Sequence, residues 1–256
     1  MSAADARPGV VLIHGVGLDA SMWEPVIARL DAGLDPFAYD MIGHGCASKP
    51  PGPYSLAAFV DQLMDRIDRV DRCRGQRFDV VGFSMGALVA EGFALANPAR
   101  VRRLVLVGAV FDRSPAERAA IIERVADVRN NGFAAGFEAA LLRWFTPRFA
   151  ASHPEVVARV RECLAANDER AYADAYEVFA TADTELAAQL HRITQPTLVV
   201  TGANDPRSTP AMACALAARL GNGRVHVVEG ARHLLPLEVP DTLAALINDF
   251  LGGCDV

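Results

Sequence analysis

A mostly parallel, doubly wound α/β sheet interrupted by one helical insert is what the sequence predicts, on three observations. Short apolar, β-branched runs recur along the chain, amphipathic helical stretches alternate with them, and the alternation fails once, over about eighty residues. A chain of 256 residues, 52% hydrophobic and 22% charged, is long and apolar enough to bury the core such a domain needs.

The first run, Val10 to Ile13, is preceded only by small and polar residues. Phe37 to Tyr39, Phe78 to Val81, Leu104 to Val107, Thr197 to Val200 and Val225 to Val228 complete six candidate strands. Apart from Asp79 and His226 their patterns are mainly apolar and β-branched, as in buried parallel strands. Leu56 to Val70, Ala87 to Ala96 and Pro210 to Leu220 are the amphipathic stretches between them. After the fourth strand only helical patterns follow: Pro115 to Asn130, Phe133 to Phe145, Pro154 to Ala166 and Glu169 to Ala180. The chain therefore divides into a core, residues 1–111 and 193–256, and a helical insert, 112–192. At the C-terminal edge of a parallel sheet, where ligands bind, such an insert is placed to be a lid. The alternative is an appended bundle that only stabilises the domain.

Composition excludes several function classes. A formal charge of −6 and no cluster of Lys and Arg leave no basic field for a phosphate backbone, which argues against nucleic acid as a partner. The five cysteines, Cys46, Cys73, Cys163, Cys214 and Cys254, form no C-x-x-C pair, so they read as thiols in a reducing compartment rather than as zinc or redox sites. No apolar h-region opens the chain and no run is long enough to span a bilayer, so the expected address is the cytoplasm, with no membrane partner.

Gly82-Phe83-Ser84-Met85-Gly86 follows one strand run and opens a helix, the strand-turn-helix context that a nucleophile elbow of the G-x-S-x-G type needs. A turn that tight forces the serine into a strained backbone and leaves no room for side chains at the flanking glycines. A serine hydroxyl is a weak nucleophile near neutral pH, so a base must take its proton. His233, in Gly230-Ala231-Arg232-His233 after the last strand run, emerges at the same sheet edge; His226 lies within that run, His153 and His191 in the insert, His14 and His44 in early loops. Asp205, in Thr201-Gly202-Ala203-Asn204-Asp205, is the expected carboxylate to orient the base, with Asp112 after the preceding strand as its rival. The N–H groups of Met85 and of Val16, in His14-Gly15-Val16-Gly17, are the expected donors to an oxyanion. This chemistry calls for a small-molecule substrate and for neither cofactor nor metal.

His14-Gly15-Val16-Gly17, Trp23, Asp40 to Gly45, the elbow, Asp205 and His233 together resemble the lidded α/β-hydrolase superfamily over nearly the whole chain. Pro51-Gly52-Pro53-Tyr54-Ser55-Leu56, Arg143-Trp144-Phe145-Thr146 and Ser208-Thr209-Pro210 are most similar to the 3-oxoadipate enol-lactonases, which open the lactone ring of an anionic intermediate of aromatic breakdown. Related hydrolases of N-heterocycle breakdown cleave the amide of acylaminomethylene succinates, and these motifs suit both. The resemblance implies that Trp144 and Phe145 line the acyl pocket or else pack inside the lid; Arg143 is then the candidate to meet a substrate carboxylate, with Arg113 and Arg207 as competitors and a solvated arginine as the alternative for each. Two departures stand out. Ile42 replaces the arginine usual in the Asp-x-Arg-Gly-x-Gly segment, and the short N-terminus implies a sheet without the usual first two strands.

Overall fold

The computed structural model describes residues 9–70, 76–132 and 136–253; Cys73, Cys254 and the expected helix start at Phe133 lie outside them. The described strands are β1 (Gly9–Ile13), β2 (Asp35–Tyr39), β3 (Phe78–Phe83), β4 (Val101–Val107), β5 (Thr197–Gly202) and β6 (Gly223–Val228). Each contains one of the six apolar runs and extends it at one end. They form one sheet in the order β2-β1-β3-β4-β5-β6, and every neighbouring pair is parallel. Every residue of β1, β3 and β5 is buried, as strands covered on both faces must be. The two edge strands, β2 and β6, are partly exposed, which is why their apolar runs are weaker.

The helices of the core are α1 (Glu24–Ile27), α2 (Leu56–Val70) and α3 (Met85–Ala96), followed beyond the insert by α9 (Pro210–Arg219), α10 (Leu235–Glu238) and α11 (Pro240–Gly252). In α2 the buried residues Phe59, Val60, Leu63 and Ile67 recur at helical spacing, opposite a face of Asp and Arg. Met85 to Ala94 of α3 are all buried, because the sheet, α2 and the insert surround that helix.

Between β4 and β5 come only helices among the described residues: α4 (Pro115–Asn131), α5 (Phe137–Trp144), α6 (Pro147–Ser152), α7 (Pro154–Ala165) and α8 (Glu169–Ala187). Their starts are written in the sequence. Ser114 and Glu117 form a capping box ahead of Pro115, and the Thr146 and Asp168 side chains each accept an N–H three residues on. Each such cap is worth about 1 kcal/mol. The expected end of α8 at Ala180 is corrected to Ala187. Ala182, Asp183 and Leu186 are buried there, so packing carries the helix past Thr181, where the local pattern weakens.

One topological fact places the site. From β1 the chain steps outward to β2 and then crosses back to β3 on the other side of β1, so the strand order reverses there. Ligands bind in open α/β sheets outside the C-terminal ends of strands at such a reversal. Because Ile13 pairs with Gly82, the His14–Gly17 loop and the Ser84 turn leave the sheet side by side.

Candidate active site

Ser84 sits at φ 53° and ψ −112° between β3 and α3, one of two non-glycine residues with positive φ among those described. The turn that imposes this is closed by contact. A Cβ on Gly82 would stand 2.3 Å from the Gly86 carbonyl oxygen, and one on Gly86 would stand 2.4 Å from that of Ile13. Neither position accepts a side chain, so both elbow glycines have a steric cause. The Ser84 N–H donates to the Val107 carbonyl at 2.8 Å, which carries the strand pairing into the turn.

Across the strand ends, the His233 Nδ1–H donates to Asp205 Oδ2 at 2.6 Å. The other oxygen, Oδ1, accepts the N–H groups of Arg207 at 2.9 Å and Ser208 at 3.0 Å. Burial alone would raise the Asp205 carboxyl, yet the charge and hydrogen bond of His233 and these two amides hold it below its ordinary value. The bond at Nδ1 fixes the tautomer in which Nε2 is the acceptor. Ser208 is itself anchored: its hydroxyl donates to the Gly108 carbonyl at 2.7 Å, and its carbonyl accepts the Thr201 hydroxyl at 2.5 Å. The His233 ring packs beside Phe83, with centroids 4.9 Å apart.

Asp112 is not brought to this cluster. It is exposed, at φ 48°, while its neighbour Arg113 turns inward to a buried ion pair with Asp183 at 3.0 Å and lies over the Phe179 ring. Of the two carboxylates weighed, Asp205 holds the histidine.

Val16, Ser84, Asp205 and His233 all line one cavity of about 200 Å³ beneath the insert. Met85 is buried under the elbow, and as the first residue of α3 its N–H has no acceptor within the helix. The loop bearing Val16 is fixed by His14. That ring is fully buried, with Nδ1–H donating to the Gly15 carbonyl at 2.7 Å and Nε2 accepting the Met41 N–H at 2.9 Å. Burial lowers its pKa, so it stays neutral and serves as a staple between the β1 and β2 loops. His44, edge-on to it at 5.0 Å, is pushed down to about 3 by burial and by His14.

The insert supplies the opposite wall. Trp144 and Arg143 of α5 line the cavity as expected, but Phe145 does not: it is buried inside the insert, stacked on Phe149 at 5.3 Å. The residue ends α5 with extended backbone, which turns its ring away from the side its predecessor faces. Arg207, beside Asp205, also lines the cavity. Sequence reasoning missed Arg124 on α4, Tyr172 and Tyr176 on α8, which line it too. The signal for Arg124 was available, since it interrupts the apolar spacing of Ile121, Val125 and Val128. Arg124 donates to the Tyr176 hydroxyl at 3.2 Å. Burial lowers the Arg143 pKa, with Arg124 adding to it. Arg113, a competitor for a substrate carboxylate, also lines the cavity but is already neutralised by Asp183.

Below the elbow, Glu91 of α3 is buried with Oε1 unpaired, and burial together with the Asp183 charge pushes its pKa up to about 8.

Fold and elbow together define a class. The chain belongs to the alpha/beta hydrolase family, whose model matches residues 10–246, and it is a hydrolase. It is 32% identical over 244 residues to the (E)-2-((N-methylformamido)methylene)succinate hydrolase of Acinetobacter baylyi, across 94% of this chain and 89% of that one. It is likewise 32% identical over 235 residues to 3-oxoadipate enol-lactonase 2 of the same organism, across 91% and 85%. The crystal structure of the enol-lactonase from Burkholderia xenovorans is similar at a TM-score of 0.87 and 29% identity, covering 98% of this chain and 94% of that one.

Proposed function

We propose that this chain is a serine hydrolase working through an acyl-enzyme on a small carboxylated substrate, foremost an enol-lactone. In this reading Ser84 Oγ attacks the carbonyl carbon while His233 Nε2 takes its proton and Asp205 steadies the imidazolium. The N–H groups of Val16 and Met85 hold the oxyanion, His233 returns the proton to the leaving oxygen, and water then releases the acyl group by the same steps. No cofactor or metal has a part. The insert, residues 112–192, acts as the lid over the core formed by the rest, and the enzyme works in the cytoplasm. The described cysteines Cys46, Cys163 and Cys214 are free thiols, in keeping with a reducing compartment. Among the described residues no helix is long and apolar enough to cross a membrane.

The observation that carries the substrate class is cationic. Arg124, Arg143 and Arg207 line the cavity that holds Ser84 and His233, and none of the three has a carboxylate partner within 4.0 Å among the described residues. Arg124 and Arg143 are half-buried and Arg207 exposed, while Glu117 and Asp127 are the acidic side chains on the same wall. The half-buried guanidinium of Arg143, whose pKa burial lowers, gains most from an anion, and a substrate carboxylate is the anion that fits. Three cations also favour a second reading, an acylaminomethylene succinate, since a succinate brings two carboxylates. The two named relatives divide on the same point at equal identity.

The test is a hydrolysis panel: an enol-lactone, an acylaminomethylene succinate, a vinylogous diketone and a neutral nitrophenyl ester. The expected outcome is the highest kcat/KM on the enol-lactone. A preference for the neutral ester over every carboxylated member overturns the substrate class and leaves the serine hydrolase.

A further inference from the structure

The loop that carries His233 is held from two sides, and only one of them is Asp205. The other is the C-terminal turn of α5. There the Trp144 carbonyl accepts both the His233 N–H and the Leu234 N–H, each at 3.1 Å. The Arg232 guanidinium donates to the carbonyls of Leu142 and, at 3.0 Å, Phe145. Glu238 closes the arrangement: Oε1 accepts the Thr146 N–H at 3.1 Å and the Thr146 hydroxyl, and Oε2 accepts the Arg232 N–H at 3.2 Å.

These bonds answer a need on both sides. The last carbonyls of a helix have no partner within it, and they carry the negative end of its dipole, so a guanidinium and two amides suit them. The loop after β6, for its part, has no ladder to fix its backbone. Its course across the sheet is close-packed on one side, where a Cβ on Gly202 would stand 2.2 Å from the Arg232 carbonyl oxygen. Among the described residues, its hydrogen bonds to the insert all go to Leu142, Trp144, Phe145 and Thr146, where α5 ends and α6 begins.

From this geometry, and resting on the serine-hydrolase reading above, we infer that Arg232 and Glu238 are positioning residues for His233: they clamp its loop to the α5 turn that bears Arg143 and Trp144. Neither side chain lines the cavity. The clamp joins the substrate-facing wall and the general base into one body, so displacement of that wall displaces the base. Reach of an imidazole to a serine hydroxyl is sensitive to shifts of about 1 Å, which can cost up to about a hundredfold in rate.

The experiment compares Arg232→Ala, Arg232→Lys and Glu238→Gln with Arg161→Ala, which breaks the exposed pair of α7 with Glu138 at the other end of α5. Three quantities are read: the rate of Ser84 labelling by a fluorophosphonate, kcat and KM on the best panel substrate, and hydrogen exchange at the His233 and Leu234 amides. Arg232→Ala and Glu238→Gln are expected to slow labelling and kcat by about tenfold with KM unchanged, and to speed exchange at both amides. Arg232→Lys should recover part of the rate, because an ammonium reaches one carbonyl but not two. Arg161→Ala should leave all three readouts at wild type. If Arg232→Ala does not fold, Glu238→Gln carries the comparison. A loss of thermal stability with wild-type labelling, or a rise in KM at constant kcat, overturns the inference while leaving the hydrolase reading intact. A wild-type protein whose Ser84 is not labelled overturns that reading and this inference with it.

Discussion

On the sheet side of the cavity, positions are set by backbone contact; on the insert side, by side chains reaching from helices. A Cβ on Gly82 or Gly86 would meet backbone atoms at 2.3 and 2.4 Å, which closes the Ser84 turn, and one on Gly15 would meet the Phe83 ring at 2.9 Å, which packs the Val16 loop against the same strand. Opposite, Arg124, Arg143, Trp144, Tyr172 and Tyr176 come from three helices. The salt bridge of α5 with α7 is solvent-exposed, a kind worth little. The difference teaches where change is tolerated. Substitution on the sheet side should abolish the chemistry, whereas substitution on the insert side should redirect it.

The sharpest break of that contrast lies at the nucleophile. Ser84→Ala and His233→Ala are each expected to lower kcat by about ten-thousand-fold or more, since such residues act as a unit, with thermal unfolding close to wild type. Near-normal turnover by Ser84→Ala on the panel substrates would remove the nucleophile from this site. Next comes the acid. Asp205→Asn should lower kcat by about a thousandfold or more while Asp112→Asn is mild, and steady-state rates in the opposite ranking would transfer the role to Asp112.

An insert-side change tests selectivity rather than rate. Arg143→Ala should reduce kcat/KM for a carboxylated substrate by about tenfold or more and scarcely alter the neutral ester. A parallel fall for both substrates would mean that Arg143 only supports the insert, and Arg207 or Arg124 would take its place. The smallest effect concerns stability. Glu91, with a folded-state pKa of about 8, stays protonated in the native protein at pH values where an exposed glutamate ionises from about 4.5. The native state thus binds the extra proton, and stability falls as pH rises through that window. Glu91→Gln should flatten this decline, so that melting temperatures at pH 5 and pH 8 differ less than in wild type; an unchanged difference would assign the slope to other groups.

Much of the sheet side was legible in the sequence because its signals are local. Buried strands are mainly apolar, β-branched runs, the elbow is five consecutive residues, and His233 and Asp205 follow strands in chain order. The insert side was legible only as helices. Which residue faces the cavity depends on how α4, α5 and α8 cross, and adjacent positions divide: Trp144 lines the cavity and Phe145 packs away from it. The short helices α1, α6 and α10 have too few residues to show a period. For α11 the signal existed, in Pro240 at the first turn and buried Leu243, Ile247 and Leu251 at four-residue spacing. The Arg232 and Glu238 clamp had no sequence signal, since its partners lie about ninety residues away and are backbone carbonyls and a threonine.

The conformation of Ser84 has a consequence for the protein's persistence rather than its chemistry. At φ 53° and ψ −112° its backbone is near the mirror image of an ordinary extended residue, a region open to glycine and costing any side-chain-bearing residue about 1–3 kcal/mol. The protein therefore carries at Ser84 a residue that its own fold disfavours. Glycine there would relax the turn, a gain set against the greater freedom it gives the unfolded chain. On the serine-hydrolase reading proposed above, the side chain held in this turn is there for its chemistry and at a cost to folding.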